Sequence, residues 1–283
     1  QTHIPLRLVG SEMCIRDRCR LTTMKIPIYQ VDAFASELFK GNPAAVCPLD
    51  EWLPVQIMQN IAIENNLSET AFFLEDNGSF QIRWFTPKAE LDLAGHPTLA
   101  TAHIILNEFN LAGKEVIFKT KLGDTLNVIL KDNLYIMDFP SRPPHPLQNI
   151  DSFHDALGKK PKKVFAHRDA IVVYDDEDDI KSIQPDMEKL KLLEYPAVVV
   201  TAEGNKADFV SRNFAPKLGI SEDPVTGSAH CELIPYWSKI LNKKELFANQ
   251  ISERGGKLYC THNEDRVTIG GEAVTFLRGE IEI

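Results

Sequence analysis

An eight-residue segment occurs twice in this chain, and this repetition restricts the possible folds more than any other feature. Residues 96–103 read HPTLATAH and residues 223–230 read DPVTGSAH, so the two copies lie 127 residues apart. A similar pentapeptide precedes each copy, RWFTP at residues 83–87 and RNFAP at residues 212–216. Self-similarity of this kind is the sequence signature of a repeated structural unit. The chain is therefore predicted to contain two homologous halves.

The second copy has the features of a loop that turns into a helix. Pro224 has no backbone donor, Gly227 permits close approach of the backbone to a ligand, and apolar residues follow at helical spacing over residues 233–241. The free N–H groups at a helix start, together with the positive end of the helix dipole, bind anions. We therefore expect each half to present one helix start to a shared cleft that holds a small carboxylate or phosphate.

The rest of the pattern predicts an α+β fold. Strand-like segments outnumber helical ones and do not alternate regularly with them, as they would in a parallel α/β sheet. The proline-dense stretch 140–146 suits neither helix nor strand, so the boundary is placed there. We predict a first half over 24–140, with the C-terminal strand as a candidate for exchange into it, and a second half over 141–283. Each half is expected to be a strongly curved, mostly antiparallel sheet wrapped around a central helix.

The first 23 residues differ in character from the rest of the chain. They contain four scattered arginines and no helical or strand periodicity, whereas a clean strand pattern begins at Met24. We interpret residues 1–23 as a non-native leader, with a mitochondrial-type transit peptide as the alternative. A chain that begins at Met24 is expected to keep its melting temperature, and a drop of several degrees would show that the leader packs on the core.

Composition and motif content exclude several functions. The net charge of −9, without any cluster of Lys and Arg, argues against a nucleic-acid partner. No apolar run approaches the roughly 20 residues needed to cross a bilayer, so no membrane partner is expected. The five cysteines form no CxxC motif and suit a reducing, cytoplasmic compartment. Neither metal-type histidine spacing nor a nucleotide-binding glycine loop is present, so no metal and no cofactor are expected.

Four side chains are candidates for acid–base chemistry on a small acid, namely Glu69, His96, Asp223 and Ser228. Glu69 lies between a helical and a strand pattern, the kind of loop position where catalytic acids and bases often occur. Simpler interpretations exist for all four. Glu69 also suits a solvated turn, His96 a helix cap or the surface, and Asp223 an N-cap. Ser228 equally suits an ordinary first-turn position, but the coincidence of the candidates at matching loops favours one site.

Several motifs, in the same order along the chain, resemble the PhzF-like family of phenazine-biosynthesis isomerases. The motifs are GNPAAV at 41–46, SETAFF at 68–73, AGHPTLATAH at 94–103, EDPVTGSAH at 222–230, RGG at 254–256 and DRV at 265–267. The resemblance runs from about Met24 to the C-terminus. One departure is Ala100, where the family usually carries glycine, and a methyl group there would narrow the loop.

The resemblance implies a two-domain, pseudo-twofold fold shared with diaminopimelate epimerase. It implies that Glu69 is the acid–base residue and that His96 and Asp223 complete the catalytic set. Further substrate-binding positions implied in the same way are Gly95, Thr226, Gly227 and Ser228. The expected activity is that of a cofactor-independent isomerase acting on a small carboxylate-bearing substrate, cyclic or unsaturated. A homodimer is also expected.

Two other functions remain open from the sequence. The first is a non-catalytic binding or interaction protein that keeps the fold, although the presence of Glu69 argues against it. The second is a racemase or epimerase of a small acid. The related epimerases use two cysteines, one from each half, but Cys231 corresponds to Ile104 at the repeat offset. A mechanism with two thiols is therefore disfavoured.

Overall fold

The described part of the chain comprises residues 23–109, 113–148 and 150–283 of a computed structural model. Of the predicted leader, residues 1–22 lie outside the described residues. The helices are α1 (Val55–Asn65), α2 (Gly95–Glu108), α3 (Asp151–Leu157), α4 (Glu177–Ser182), α5 (Met187–Leu192) and α6 (Gly227–Leu241), with a 3-10 turn at Pro216–Leu218. The acidic stretch 175–179, which its composition suggests is a surface turn, instead forms the start of α4, where Asp176 accepts a hydrogen bond from the N–H of Asp179.

Strands make up the larger share of the fold and join in one mixed sheet, which confirms the α+β class. The strands of the N-terminal part are β1 (Lys25–Ala33), β2 (Asn42–Pro48), β3 (Glu69–Asp76), β4 (Ser79–Phe85), β5 (Glu90–Leu91), β6 (Glu115–Thr120), β7 (Thr125–Lys131), β8 (Leu134–Pro140) and β9 (His145–Pro146). Those of the C-terminal part are β10 (Lys163–Ala166), β11 (Ala170–Val173), β12 (Val198–Glu203), β13 (Phe209–Ala215), β14 (Ile220–Asp223), β15 (Glu245–Gln250), β16 (Gly256–Asn263), β17 (Arg266–Gly271) and β18 (Ala273–Glu282).

The same succession of strand pairings occurs twice along the chain. In the order β1-β2-β3-β4-β6-β7-β8 the pairings are antiparallel, parallel, antiparallel, parallel, antiparallel and antiparallel. The order β10-β11-β12-β13-β15-β16-β17 gives the same series. Parallel neighbours require a crossover connection, usually through a helix. In each series the second parallel pair is connected through a long helix, α2 in one and α6 in the other.

Two further pairings connect the series. β8 pairs with β17 in antiparallel register. The C-terminal strand β18 returns to the N-terminal part and pairs with β1 along its whole length, from Lys25 opposite Glu282 to Ala33 opposite Ala273. The short strand β9, which follows β8, pairs with β10 in antiparallel register.

The helices α2 and α6 lie in the centre of the fold. A helix that is apolar on nearly all sides is stable only when it is buried, and both helices have this composition. In α2 every residue from His96 to Ala102 is buried, and in α6 most residues from Ala229 to Ser238 are buried. Both helices contribute to one hydrophobic core together with strands of both series. Each helix begins with a glycine, Gly95 in α2 and Gly227 in α6, and the two N-termini meet at one side of this core.

The turn before β2 depends on Gly41. Its φ of +66° is a conformation that favours glycine, and a Cβ there would lie 2.1 Å from the carbonyl oxygen of Ala33. Gly78, in the hairpin between β3 and β4, has a similar φ of +81° but has no atom near its would-be Cβ.

Substitution of Gly41 by alanine is therefore expected to destabilise the protein far more than Gly78→Ala does. The positive φ alone, as at Gly78, should cost an alanine on the order of 1 kcal/mol. The added backbone clash should bring the loss for Gly41→Ala to roughly 3 kcal/mol. Urea denaturation of the two variants measures both values, and equal losses would contradict the close packing of residues 33 and 41.

Candidate active site

The two helix starts meet at one cleft of about 660 Å³. Gly95 and Gly227 approach so closely that a Cβ on Gly95 would lie 3.7 Å from the Cα of Gly227. The N-cap residues Ala94 and Thr226 make no side-chain capping bond, and neither helix has an acidic residue in its first turn. The first N–H groups of both helices therefore remain available at the cleft, and two helix dipoles favour negative charge there.

Glu69 and His96 form a buried contact in this cleft. Glu69 is the first residue of β3, which follows the left-handed Asn66 at the end of α1. Its Oε2 atom lies 3.0 Å from Nε2 of His96, the second residue of α2. Neither atom has another hydrogen-bond partner in the described chain. Burial lowers the pKa of His96, but the charges of Glu69 and Asp223 outweigh it, so the net direction is upward.

Asp223 lies at the end of β14, close to the same pair. One of its carboxylate oxygens accepts a 2.8 Å hydrogen bond from Nδ2 of Asn42, which also donates to the carbonyl of Val225 at 2.9 Å. The other oxygen accepts a hydrogen bond from the hydroxyl of Thr226. Burial, together with the charge of Glu69, raises the pKa of Asp223 to about 6, although nearby His96 lowers it. A carboxyl group with a raised pKa, buried in a cleft beside specific charged partners, is typical of a functional site.

Gln250 holds the turn between Asp223 and α6. Its Oε1 accepts the N–H of Thr226 at 2.9 Å, and its Nε2 donates to the carbonyl of Asp223 at 2.7 Å. Asn213 donates to the hydroxyl of Thr226 at 2.8 Å. Together with the bonds from Asn42 and Thr226, these contacts fix the orientation of the Asp223 carboxyl group, which does not cap α6.

All seven residues predicted from the sequence line this one cleft. They are Glu69, Gly95, His96, Asp223, Thr226, Gly227 and Ser228. Three of the simpler interpretations are wrong: Glu69 is buried rather than solvated, His96 is buried inside the first turn of α2, and the N-cap of α6 is Thr226 rather than Asp223. Ser228 does occupy the first turn of α6, and it also faces the cleft.

The repeated histidines at the ends of the two motifs lie outside this set. His103 is held between the Tyr135 hydroxyl and the Thr275 hydroxyl, each at 2.9 Å. His230 contacts the carbonyl of Thr226 through Nδ1 at 2.8 Å. Burial lowers the pKa of both histidines to about 4, so they are neutral near pH 7 and support the packing of the helices.

Sequence reasoning missed a group of charged residues in the cleft wall: Lys88, Arg142, Arg168, Asp169 and Lys217. For Arg142, the sequence contains one feature that points to its position. Pro235 lies inside α6 and has no N–H, which leaves the carbonyl four residues earlier without its helical partner. That carbonyl belongs to Cys231, and it accepts the backbone N–H of Arg142 at 2.9 Å. The proline thus ties the segment after β8 to the cleft.

Within the described ranges, no group of three or more His, Cys, Asp or Glu side chains is placed to hold a metal ion. In the same part of the chain, no helix has the length and apolarity to span a membrane.

A family model described as "Phenazine biosynthesis-like protein" matches residues 31–279. The chain belongs to the PhzF phenazine biosynthesis-like family. This confirms the resemblance seen in the motifs. One relative of this PhzF protein, an uncharacterized isomerase of Pseudomonas aeruginosa, is 45% identical over 260 residues, which cover 92% of this chain and 100% of that protein.

Solved structures agree with the family assignment. The crystal structure of a PhzF-family protein from Enterococcus faecalis is 49% identical, with a TM-score of 0.90 and coverage of 92% of this chain and 100% of that one. A hydroxyproline epimerase from Agrobacterium vitis, only 8% identical, has a TM-score of 0.61 over 92% of this chain and 93% of its own. This second likeness shows a shared fold alone.

The raised pKa of Asp223 in the PhzF protein predicts a pH-dependent cost to stability. The unfolded carboxyl titrates near 3.8 and the folded one near 6. Between these values the folded state binds more protons, so stability attributable to this group falls as pH rises through the window and the cost is complete above it.

Asp223→Asn removes this group, so its free energy of unfolding relative to the wild type should rise between pH 4 and pH 6 by on the order of 2 kcal/mol. Titratable groups remote from Asp223 contribute equally to both proteins and cancel in the difference, whereas the pKa of His96, which the Asp223 charge raises, falls in the variant. Denaturation curves at several pH values measure it, and a difference that stays flat with pH would contradict the raised pKa.

Proposed function

We propose that this protein is a cofactor-independent isomerase that moves a proton between two carbons of a small carboxylate-bearing substrate. Glu69 is the acid–base residue. Asp223 and His96 polarise and hold the substrate. The N–H groups of Gly95, Gly227 and Ser228 hold the substrate carboxylate, with Thr226 shaping the second helix start.

One observation carries this proposal: a buried carboxylate–imidazole pair lies beside two uncapped helix starts in a single cleft. Glu69 and His96 are 3.0 Å apart, and Gly95 and Gly227 bring the helix starts into contact. The two features supply complementary functions. The carboxylate can accept a proton from carbon, and the helix starts stabilise the negative charge that develops when it does so.

The reaction needs two proton transfers. First, Glu69 takes a proton from one carbon, and the electron pair of the broken C–H bond delocalises into the adjacent unsaturated system and carboxylate. Then the new O–H bond of Glu69 breaks and a C–H bond forms at another carbon, so the double bond moves. No electrons enter or leave the substrate, and Glu69 returns to its initial state.

The strand register supports one base rather than a symmetric pair. The residue after Glu69 pairs with Phe85, and the residue after Ala197 pairs with Phe214. Because Phe85 and Phe214 occupy equivalent positions in the repeated pentapeptides, Ala197 corresponds to Glu69. A methyl group therefore stands where a two-base racemase or epimerase of this symmetry would carry its second base.

We also propose that residues 24–140 and 141–283 are two halves related by duplication, with β18 exchanged into the first. The repeated series of pairings supports this proposal, and so does a repeated ion pair. Arg83 binds Glu90 through two hydrogen bonds of 2.7 and 2.9 Å. Arg212 binds Glu222 through two bonds of 2.8 and 2.9 Å.

The proposed activity can be tested with hydrogen exchange. The wild-type protein is incubated in D2O with a panel of small cyclic and unsaturated carboxylic acids, and deuterium bound to carbon is detected by NMR and mass spectrometry. We expect deuterium at two carbons of at least one acid, together with migration of its double bond. If acids that bind in a titration show neither deuterium at carbon nor a migrated double bond, the protein is a binding protein and not an isomerase.

A further inference from the structure

Asp169 is a buried acidic residue of the cleft wall with no hydrogen-bond partner for its side chain. Its exposed fraction is 2%, yet it lines the same cleft as Glu69. Its Oδ1 atom has no partner, and neither carboxylate oxygen accepts a hydrogen bond from a described residue. Since burying an unpaired carboxylate is costly, its presence at a ligand-sized cleft needs an explanation.

The backbone of Asp169 is fixed from the opposite side by α6. Glu232 is fully buried, and its Oε1 accepts the N–H of Asp169 at 3.2 Å. Burial and the neighbouring charge of Asp169 raise the pKa of Glu232 to about 7. Glu232 thus supports the turn before β11 but leaves the Asp169 carboxylate free.

Asp169 lies immediately before β11 and lines the cleft. β11 and β12 are parallel, with Ala170 opposite Val198, and the N–H of Ala170 donates to the carbonyl of Ala197 at 3.0 Å. Residues at matching positions of adjacent strands point to the same face of a sheet. Asp169 and Ala197 each directly precede these paired residues, so they extend the same register by one position, and both line the cleft. Asp169 thus lies next to Ala197, the position that corresponds to Glu69.

Two arginines lie near this carboxylate without satisfying it. Nε of Arg168 is 3.9 Å from Oδ1, beyond hydrogen-bonding distance, and the side chain of Arg168 is largely exposed. Arg142 also lines the cleft. Burial raises the pKa of Asp169, and the charges of Arg168 and Arg142 lower it by less, so the net direction is upward. The arginines therefore offset only part of the cost of burial, and the Oδ1 atom of Asp169 has no hydrogen-bond partner among the described residues.

We propose that Asp169 is a specificity residue that accepts a hydrogen bond from an amino or hydroxyl group of the substrate. This proposal rests on the proposed function, because it takes the substrate carboxylate to be held at the helix starts. The substrate class is thereby narrowed to small carboxylic acids that carry a second polar group able to donate a hydrogen bond. Plain hydrocarbon acids would leave Asp169 unpaired and would bind less well.

The test compares dissociation constants of matched probes. The probes are cyclohexanecarboxylate, the positional series of aminocyclohexanecarboxylates and the corresponding hydroxy acids, titrated against the full-length protein by NMR. A hydrogen bond to a charged group should make at least one amino or hydroxy acid bind about tenfold more tightly than the plain acid. The separate amino and hydroxy series show which donor is preferred.

Asp169→Ala should reduce this preference to near one. Asp169→Asn keeps an uncharged acceptor and should retain a preference of a few-fold, so it serves as the second variant if the alanine protein does not fold. Asp92→Asn changes another carboxylate that lines the cleft but is exposed, and it should leave the preference unchanged.

Three results would overturn the proposal. Equal binding of plain and substituted acids by the wild type would show that Asp169 accepts no hydrogen bond from an amino or hydroxyl group of the ligand. A preference that survives in Asp169→Ala would assign the recognition elsewhere. Loss of D2O exchange in Asp169→Asn, without any change in probe preference, would make Asp169 a proton-transfer group instead. If no acid binds at all, the helix starts do not hold carboxylates, and the proposed function fails as well.

Discussion

Replacing Glu69 by glutamine is expected to lower kcat by roughly a hundredfold or more, the usual scale for a lost general base. The substitution keeps the size of the side chain and removes its ability to accept and return a proton. Because the helix starts and Asp223 are untouched, the dissociation constant of the substrate should change little. Steady-state kinetics and a binding titration measure the two effects separately.

Glu75→Gln is the matched control for this variant. Glu75 lies on the same strand, β3, but is exposed and is not among the residues that line the cleft, so its substitution should leave kcat unchanged. A Glu69→Gln protein with kcat within a few-fold of the wild type would show that another group is the base, and His96 and Asp223 would be the next candidates.

Removal of His96 or neutralisation of Asp223 should weaken binding and turnover together. His96→Ala takes away the imidazole nitrogen that lies 3.0 Å from Oε2 of the buried Glu69 carboxylate. Asp223→Asn removes a negative charge that raises the pKa of His96. We expect each variant to lose about tenfold or more in both kcat and substrate affinity.

The double variant Glu69→Gln/His96→Ala tests whether the pair acts as a unit. If His96 acts through Glu69, the double variant should be little slower than Glu69→Gln alone, since effects within one catalytic unit are not additive. Multiplicative losses in kcat would show instead that His96 contributes independently. Ser221→Ala, an exposed change two residues from Asp223, controls for general disturbance of this loop.

The internal repeat explains why so much of the candidate site could be predicted from the sequence. A repeat of a helix start predicts two helix N-termini related by symmetry, and symmetry brings equivalent points together near its axis. The contact between Gly95 and Gly227 agrees with this. Motifs such as SETAFF then added Glu69 through the family resemblance, and the family itself is confirmed.

The partners of the site residues could not be predicted in the same way. Asn42 bonds to Asp223 across 181 positions of sequence, and Gln250 reaches Thr226 from a strand that follows α6. Such bonds depend on how strands are ordered in the sheet, and no local pattern carries that order. Asp169 was missed for the same reason, because its place in the cleft depends on the register of β11 with β12.

Several short elements were also missed, and their partners account for them. β10 (Lys163–Ala166) has only four residues and is defined by its pairing with β11. β15 (Glu245–Gln250) pairs in parallel with β13, about forty residues earlier. α3 (Asp151–Leu157) spans about two turns, too few to show a convincing apolar period. Elements of this length are stabilised by tertiary packing more than by local propensity.

The most direct test of the account is the rate at which carbon-bound hydrogen of a bound substrate exchanges with D2O, measured in parallel for the wild type, Glu69→Gln and Glu75→Gln. We predict rapid deuterium incorporation at two carbons in the wild type and in Glu75→Gln. In Glu69→Gln the incorporation should be at least about a hundredfold slower, although the substrate still binds. Near-full exchange by Glu69→Gln would contradict the central claim that this one carboxylate takes the proton and returns it.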